Sequence, residues 1–256
     1  MMAKISAVII TFNEEKNIER CLVSMQGIAD EIVVVDSFST DRTREICLKF
    51  GVRLFERPFE GYSEQKNFGI LQAKHQLVLS LDADEALSPE LTKSILAVKQ
   101  SPNADGYTMN RLTNYCGKWI HHAWYPDTKL RLWDISKGKW DDNIVHEKIL
   151  LDKGAVIGHL NGDLLHYSFY TLDGHLLQQK KFAAMSAKAL YAAGKRSSII
   201  KILFKPGLTF LKLYFLKQGF RDGYDGFLIA RISALTVFMK YACLMDLQRK
   251  GKEENG

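Results

Sequence analysis

Residues 77–85, LVLSLDADE, constrain the fold of this chain more than any other stretch. An apolar run stops abruptly at three acids, Asp82, Asp84 and Glu85. Such a run is typical of a strand buried on both faces of a parallel sheet, and ligands bind where those strands end. Neighbouring carboxylates repel each other unless a cation lies between them, and their oxygens suit Mg²⁺ or Mn²⁺. The stretch therefore favours a cation site, the alternative being acids that merely begin a solvated loop and helix.

Strand and helix patterns alternate along the first hundred residues. The predicted strands are residues 4–11, 31–36, 52–55 and 76–81, and the predicted helices end near Met25, Gly51, Ala73 and Gln100. A capping-box pattern, Thr11-x-x-Glu14, predicts the start of the first helix, with Asn13 as the alternative N-cap. The alternation predicts an α/β fold with a mostly parallel sheet, flanking helices and right-handed crossovers. Neither a GxGxxG turn after the first strand nor a GxxxxGK[ST] loop occurs, so both common phosphate-binding fingerprints are missing.

Later segments extend this pattern and then change it. Residues 106–112, 129–133 and 144–150 are predicted strands, and the chain is helical from Leu172 onward. Residues 114–127 are rich in aromatics, of which Trp119, Trp124 and Tyr125 could stack on a sugar or simply form core.

Charge is distributed unevenly between the two parts of the chain. Residues 174–256 hold 15 Lys/Arg and 5 Asp/Glu, whereas the preceding residues hold 20 and 24. This asymmetry predicts a catalytic body joined to a basic segment that meets something anionic. On charge alone, nucleic acid and anionic lipid both fit. The four cysteines show no metal-ligand spacing, which favours a reducing compartment, and the short apolar run at the N-terminus does not suit a signal peptide, so we expect a cytoplasmic protein.

The basic segment is also strongly apolar. In residues 197–217, helical spacing places Lys201, Lys205 and Lys212 within about 40° of one another, and Pro206 is expected to kink or split that helix. Residues 226–245 are long enough to span a bilayer, but they carry Arg231 and Lys240 on opposite sides, which is costly in hydrocarbon. We therefore favour an interfacial role at a membrane surface, with a spanning helix or burial against the body as alternatives. So much aliphatic surface argues against nucleic-acid binding.

Four motifs in order carry a resemblance to a known family. They are Thr11-Phe-Asn-Glu14, Val35-Asp36-Ser-x-Ser39-x-Asp41-x-Thr43, Gln65-Lys66-Asn67-x-Gly69 and Leu81-Asp82-Ala-Asp84-Glu85. Together they resemble the nucleotide-sugar-binding half of family 2 glycosyltransferases, which have the GT-A fold. KLRLW at 129–133, VHE at 145–147 and Leu165-His166-Tyr167 extend the similarity to the WaaE/KdtX-like β-glucosyltransferases that build lipopolysaccharide core.

The resemblance implies an architecture and a set of roles. It implies a GT-A-type, Rossmann-like domain over residues 1–171, with a nucleotide-sugar half (1–112) and an acceptor half (113–171), followed by a helical, membrane-surface-associated region (172–256). The implied roles are Thr11, Glu14 and Asp36 for uridine, Lys66 for the diphosphate, Asp82 for ribose or donor sugar, Arg131 for diphosphate or acceptor, Asp84 and His166 for Mn²⁺ or Mg²⁺, and Glu147 as catalytic base.

The identity of the base is the least defined of these roles. Inverting transfer needs a group that takes the proton of the attacking hydroxyl, and a metal stabilises the departing diphosphate. Glu147 follows His146 in a predicted strand, so only one of the two faces the site, and many relatives carry ED where this chain has HE. His146 and Asp141 are the alternatives.

These features predict an inverting, metal-dependent enzyme that moves a hexose, glucose from UDP-glucose, to a lipid-linked saccharide such as lipopolysaccharide inner core. We expect it to act peripherally at the cytoplasmic face of the inner membrane. One rival is a nucleotidyltransferase, which would carry a glycine-rich, basic loop after the first strand where this chain reads TFNEEKN. The other is a non-catalytic sugar-nucleotide-binding or membrane-scaffold protein. The sequence leaves the oligomeric state open.

Overall fold

The computed structural model describes residues 2–141 and 148–253, with side chains described through residue 250. The chain forms two compact units. The first contains Met1–Leu112 and Asp127–Tyr167, and the second contains Thr113–Pro126 and Ser168–Gly256.

The first unit begins with the predicted alternation of strands and helices. Its elements are β1 (Ile5–Thr11), α1 (Ile18–Ser24), β2 (Glu31–Asp36), α2 (Thr43–Lys49), β3 (Arg53–Glu56), α3 (Tyr62–Leu71), β4 (Leu77–Asp82), β5 (Glu85–Leu87) and α4 (Pro89–Gln100). The first four strands pair in parallel in the order β3-β2-β1-β4. Thr11 lies opposite Asp36, and Ile10 lies opposite Asp82. Three strands therefore end at one edge of the sheet.

Six further strands follow in the described residues, and four of them complete a mixed sheet. The six are β6 (Gly106–Tyr115), β7 (Lys118–Ile120), β8 (Asp127–Asp134), β9 (Gly138–Trp140), β10 (Ile149–Leu151) and β11 (Ile157–Phe169). The sheet continues from β4 in the order β8-β6-β11-β5, with β7 beside β6, whereas β9 and β10 form a separate pair. β8 is antiparallel to both β4 and β6, and β11 is antiparallel to β5. The predicted α/β sheet with flanking helices is confirmed, and its parallel part is the half built from local β-α alternation.

The start of α4 follows a local sequence signal, whereas the start of α1 does not. Ser88 caps α4 as its hydroxyl accepts from the Leu91 N–H, with Pro89 at the first helical position. The predicted capping box at Thr11 and the alternative N-cap at Asn13 are both wrong, since α1 begins at Ile18. Thr11 instead ends β1, where its backbone carbonyl accepts from the Ser37 N–H.

The second unit is mainly helical, with α5 (Leu172–Ala192), α6 (Ile199–Leu211) and α7 (Gly223–Glu253). α7 packs against both α5 and α6. Pro206 lies inside α6 without splitting it, and a π-helical turn, Lys212–Leu216, follows. An aromatic cluster forms part of the core of this unit; its members are Tyr115, Trp124, Phe169 and His175. Trp124 is therefore a packing residue, in line with the core alternative.

One stretch of the described chain, Gly219–Lys250, is long and apolar enough to cross a membrane by length and composition. Only 28% of the 18-residue apolar segment within it is buried within the protein. Core helices of soluble proteins meet the same criterion, so length and composition alone do not assign a span.

Candidate functional site

The carboxyl ends of β1 and β2 place Asp36 and Thr11 side by side. Asp36 is fully buried, and its carboxylate accepts from both the N–H and the hydroxyl of Ser39. The Thr11 hydroxyl is buried and has no hydrogen-bond partner within the described residues. Buried hydroxyls are rarely left without a partner, so this atom suits a ligand that supplies one.

The loops that follow β1 and β2 are held together by hydrogen bonds. The N–H of Asn13 donates to the Ser39 hydroxyl at 2.8 Å, and that of Glu14 donates to Thr43 Oγ1 at 2.8 Å. Asn13, at φ 53°, in turn accepts through its side chain from the Thr40 N–H. These contacts replace the expected helical turn and fix the loop that carries Glu14 at the edge of the sheet.

Glu14 is partly buried in an acidic environment. Burial, with a further contribution from the charges on Asp84, Asp41 and Asp82, raises the pKa of its carboxyl to about 7 despite a hydrogen bond from Asn17. The influence of Asp82 and Asp84 means that the loop after β1 and the end of β4 share one electrostatic environment. The strand register places the ends of β1, β2 and β4, and with them Asp36 and Asp82, at the same edge of the sheet.

Asp82, the last residue of β4, is held between two cations. Its carboxylate contacts Lys66 Nζ at 3.0 Å and an Arg131 terminal nitrogen at 2.9 Å. Burial alone would raise the pKa of Asp82, but the charges on Lys66 and Arg131 outweigh it and hold that pKa well below its usual range. Asp82 is therefore an oriented, permanently ionised carboxylate. Lys66, predicted to reach a diphosphate, and Arg131, predicted to reach a diphosphate or the acceptor, have this carboxylate as a partner in the structure.

Glu85 is a member of this network to which the sequence had assigned no role. It is fully buried, accepts from Arg131 at 2.8 Å, and pairs with Arg111 at 3.3 Å. Its other oxygen accepts from the Asp82 N–H. Arg111 also pairs with Asp127 at 2.7 Å. The sequence signal for this role is that Glu85 is the third acid of the LDADE run, at the end of a buried strand. A carboxylate that is buried there requires cationic partners.

Trp140 covers the cationic side of the network. The Lys66 ammonium lies 4.4 Å from the centre of one of its rings, and the Arg131 guanidinium carbon lies 5.6 Å away. Both distances suit cation–π attraction. The ring excludes water from the two cations and so strengthens their pairing with Asp82.

Asp84 and His166 form a second, smaller cluster. Strand β11 places His166 opposite Glu85 of β5, and His166 Nε2 lies 3.3 Å from Asp84 Oδ2. The backbone carbonyl of Asp84 accepts from the Tyr167 N–H, which fixes the turn that presents the carboxylate. Two ligand atoms this close could contact one cation. Within the described residues, no group of three or more His, Cys, Asp or Glu has the geometry of a metal site, so further ligands would come from a bound substrate or water.

The structure describes eight of the nine predicted site residues, and all eight lie in the first unit: Thr11, Glu14, Asp36, Lys66, Asp82, Asp84, Arg131 and His166. Glu147, the predicted base, and its alternative His146 lie outside the described residues. Asp141, the other alternative, is buried, and its carboxylate accepts from the Lys148 N–H.

Comparison with known proteins agrees with the motifs. Residues 6–150 match the family model described as Glycosyl transferase family 2. The chain is 33% identical to an uncharacterized glycosyltransferase of Rickettsia typhi, over 98% of this chain and 90% of that protein. It is 32% identical to the lipopolysaccharide core biosynthesis glycosyltransferase LpsC of Rhizobium meliloti, over 93% and 90%.

Two solved structures also show similarity to this chain. One is TarS 1–349 of S. aureus, with a TM-score of 0.45 and 15% identity over 97% of this chain and 92% of that chain. The other is glucosyl-3-phosphoglycerate synthase of Mycobacterium tuberculosis, solved with Mn²⁺, UDP and glucosyl-3-phosphoglycerate, with a TM-score of 0.37 and 22% identity over 44% of each chain. Both scores lie below 0.5, so the assignment rests on the sequence relatives and the family model. On that basis, the chain belongs to glycosyl transferase family 2 and is a glycosyltransferase.

Proposed function

We propose that this glycosyltransferase is an inverting, metal-dependent enzyme that moves glucose from UDP-glucose to a lipid-linked saccharide. The observation that carries the proposal is the single sheet edge where Asp36 ends β2 and the ion-paired Asp82 ends β4, with the Asp84–His166 pair directly after β4. The likeness to LpsC, a lipopolysaccharide core biosynthesis glycosyltransferase, favours lipopolysaccharide inner core as the acceptor.

The uridine would be held by Thr11, Glu14 and Asp36. The Asp36 carboxylate is oriented by Ser39 and keeps lone pairs for the imide N–H of uracil. The partnerless Thr11 hydroxyl on the adjacent strand supplies a second polar contact.

Asp84 and His166 would hold the metal, Mn²⁺ or Mg²⁺. A carboxylate oxygen and an imidazole nitrogen 3.3 Å apart fit a small cation that also takes oxygen ligands from a diphosphate. When bound, the cation supplies Lewis-acid stabilisation of the charge that develops on departing UDP. Asp82 has a different role, because Lys66 and Arg131 fix its carboxylate where it would accept from a hydroxyl of the ribose or the donor sugar. A direct role of Lys66 or Arg131 at the diphosphate stays a prediction.

Glu147 would take the proton of the attacking acceptor hydroxyl, as the family resemblance implies. A carboxylate does so effectively when its pKa is close to the working pH. We place the enzyme peripherally on the cytoplasmic face of the inner membrane, with residues 113–171 contributing to acceptor binding and residues 172–256 at the membrane surface.

Two variants separate donor binding from transfer. Asp84→Ala should weaken Mn²⁺-dependent binding of UDP-glucose, measured by calorimetry, by about tenfold or more because a charged ligand is lost. Glu147→Gln should retain donor binding and lower the rate of transfer by about 10²-fold or more, because general-base catalysis is lost. Glu90→Ala, at an exposed acid on α4 outside residues 113–171, serves as the matched control for both measurements.

Either of two results would contradict the assignment. Donor binding by Asp84→Ala that still responds fully to Mn²⁺ would remove Asp84 from the metal site. Transfer by Glu147→Gln at the parent rate would show that another group is the base, with His146 and Asp141 the next residues to replace.

A further inference from the structure

An apolar helix face in the second unit lies open to solvent. Ile200, Phe204, Leu208 and Leu211 of α6 are each 50–70% exposed. At about 100° per residue they lie within an arc of about 80°, and we call them the α6 face. Ile199 and Leu203, at 65% and 66% exposure, extend the apolar surface along another side of the helix. Contiguous apolar surface of this kind marks an interaction site.

Positive charge borders the α6 face on one side. Lys201, Lys205 and Lys212 follow it around the helix within a further arc of about 40°. Lys201 and Lys205 are exposed, as is Lys212. Residues 199–217 contain no Asp or Glu, so no acidic side chain of this segment offsets the positive charge of its lysines.

The opposite side of α6 is occupied by the unit itself. α6 packs on α7, and Arg231 of α7 lies over the ring of Phe210 at 5.6 Å. Residues Ile202, Pro206 and Thr209, which lie opposite the α6 face, are partly buried. The helix therefore has a fixed orientation within the unit, and the α6 face points away from α7.

α7 is tied to its neighbours by polar contacts. Its Thr236 hydroxyl donates to the Gln179 side chain of α5 at 3.1 Å, and the carbonyl of Tyr241 accepts from Ser197, just before α6, at 2.8 Å. Buried residues along α7 include Ile229, Ala230 and Leu244. These contacts hold α7 against α5 and against the segment that leads into α6.

We infer that α6 lies in the plane of an anionic phospholipid surface, with the α6 face in the acyl boundary and its lysines at the headgroups. With 13 residues, α6 is about 20 Å long and too short to cross a hydrocarbon core of about 30 Å. Apolar side chains bordered by lysines suit an in-plane amphipathic helix, and long lysine side chains reach from it to lipid phosphates. The inference deepens the proposed peripheral location by naming the contact segment and the lipid charge, and to that extent it rests on the proposed function.

The test is flotation of the full chain with vesicles of phosphatidylcholine, with and without phosphatidylglycerol. We expect binding to the anionic vesicles, weakened by salt because surface charges are screened. Phe204→Ser and Leu208→Ser should each lower the partition coefficient about tenfold, because each removes a buried apolar side chain. Reversing Lys201, Lys205 and Lys212 to Glu should lower it by at least about 10²-fold, at about fivefold for each lysine removed.

Matched controls come from the first unit. Leu48→Ser and Leu71→Ser remove apolar side chains with 61% and 81% exposure, and the reversal of exposed Lys4, Lys74 and Lys93 to Glu imposes the same change of charge. All should float as the parent does. Far-UV circular dichroism and thermal unfolding of every variant confirm that the fold is kept, and the two single α6 substitutions provide independent evidence if one variant unfolds.

Three results would overturn the inference. Equal flotation of the parent and the α6 variants would place the contact elsewhere. Resistance to extraction by high salt and alkaline carbonate would favour α7 as a spanning helix. Concentration-dependent dimers in sedimentation velocity, lost in the α6 variants without any change in flotation, would make the α6 face a contact between copies. Flotation requires no sugar transfer, so failure here with UDP-glucose turnover intact rejects only the membrane contact, and binding without turnover rejects only the proposed function.

Discussion

At the scale of single residues, the site depends on where each carboxylate finds a partner. Asp82 and Glu85 are both surrounded by arginine or lysine, and removing one partner of such a buried pair is costly because the other charge stays desolvated. Asp84 lies next to them in sequence but pairs with His166 instead. Three acids within four residues thus take up different roles because they meet different elements.

Glu14 gives a prediction for pH dependence. Its folded-state pKa of about 7 lies above its ordinary value of 4.5, so the folded protein holds a proton that the unfolded chain releases. The stabilisation is complete below about pH 4.5 and is lost as pH rises through about 7. Glu14→Gln should remove this loss. Between pH 5 and pH 8, the free energy of unfolding of the parent should therefore fall by about 1–2 kcal/mol more than that of the variant. This difference is smaller than the full pKa shift would give, because the carboxyl is only partly buried.

Urea unfolding at a series of pH values measures this difference. Glu19→Gln, at an exposed glutamate of α1, is the control and should keep the parent's profile. An unchanged profile in Glu14→Gln would mean that the Glu14 carboxyl is ionised throughout the range.

At the scale of elements, the closeness of α3 to the sheet decides whether Lys66 reaches Asp82. Gly69 lies one turn from Lys66 on α3 and faces β1 and β2. A Cβ added at Gly69 would lie 2.5 Å from Val8 Cγ1 and 3.1 Å from Val35 Cγ2. The glycine of the Gln65-Lys66-Asn67-x-Gly69 motif is therefore explained by close packing of the helix on the sheet.

Gly69→Ala should lower the free energy of unfolding by about 1–3 kcal/mol, because the added methyl overpacks a dense core. Because α3 must move outward, the variant should also weaken donor binding. Gly207→Ala is the matched control: a Cβ there meets nothing within 4 Å, and alanine in a helix interior should raise stability by about 0.5–1 kcal/mol. Equal stability of the two variants in urea would contradict the packing argument.

At the scale of the whole molecule, each unit contains a buried titrating group, and the two groups change stability with pH in opposite directions. In the second unit, burial lowers the pKa of His175 from 6.5 to about 4, and its ring contacts the Tyr115 hydroxyl at 3.1 Å. The unfolded chain binds a proton there that the folded chain rejects. Stability from His175 is therefore present above about pH 6.5 and is lost as pH falls toward 4.

Lowering the pH from 7 to about 5.5 should therefore stabilise the first unit and destabilise the second, by about 1 kcal/mol each. Hydrogen exchange corrected for the intrinsic rate should show greater protection of β1 and β4 peptides and lower protection of α5 and α7 peptides. Glu14→Gln should abolish the first change and His175→Asn the second. A uniform change over both units, in the same direction, would reject the prediction.

The sequence by itself determined the alternation of β1 to α4, because periodic burial and caps such as Ser88 are local signals. It also determined the family, since four motifs keep their order and spacing along the chain. Tertiary structure decided which charges meet. Arg131 and Asp82 are separated by 49 residues, and only the antiparallel return of β8 alongside β4 brings them within 2.9 Å.

Pairing between distant strands also explains why sequence patterns missed β5 and the role of Glu85. β5 is three residues long and has no periodicity of its own, and it exists because β11 returns beside it and places His166 at the acidic edge. Glu85 reads as one more acid in a run until Arg111 and Arg131 are brought to it from distant strands. Local patterns specify elements, whereas buried charges acquire their partners only when strands far apart in the chain come into register.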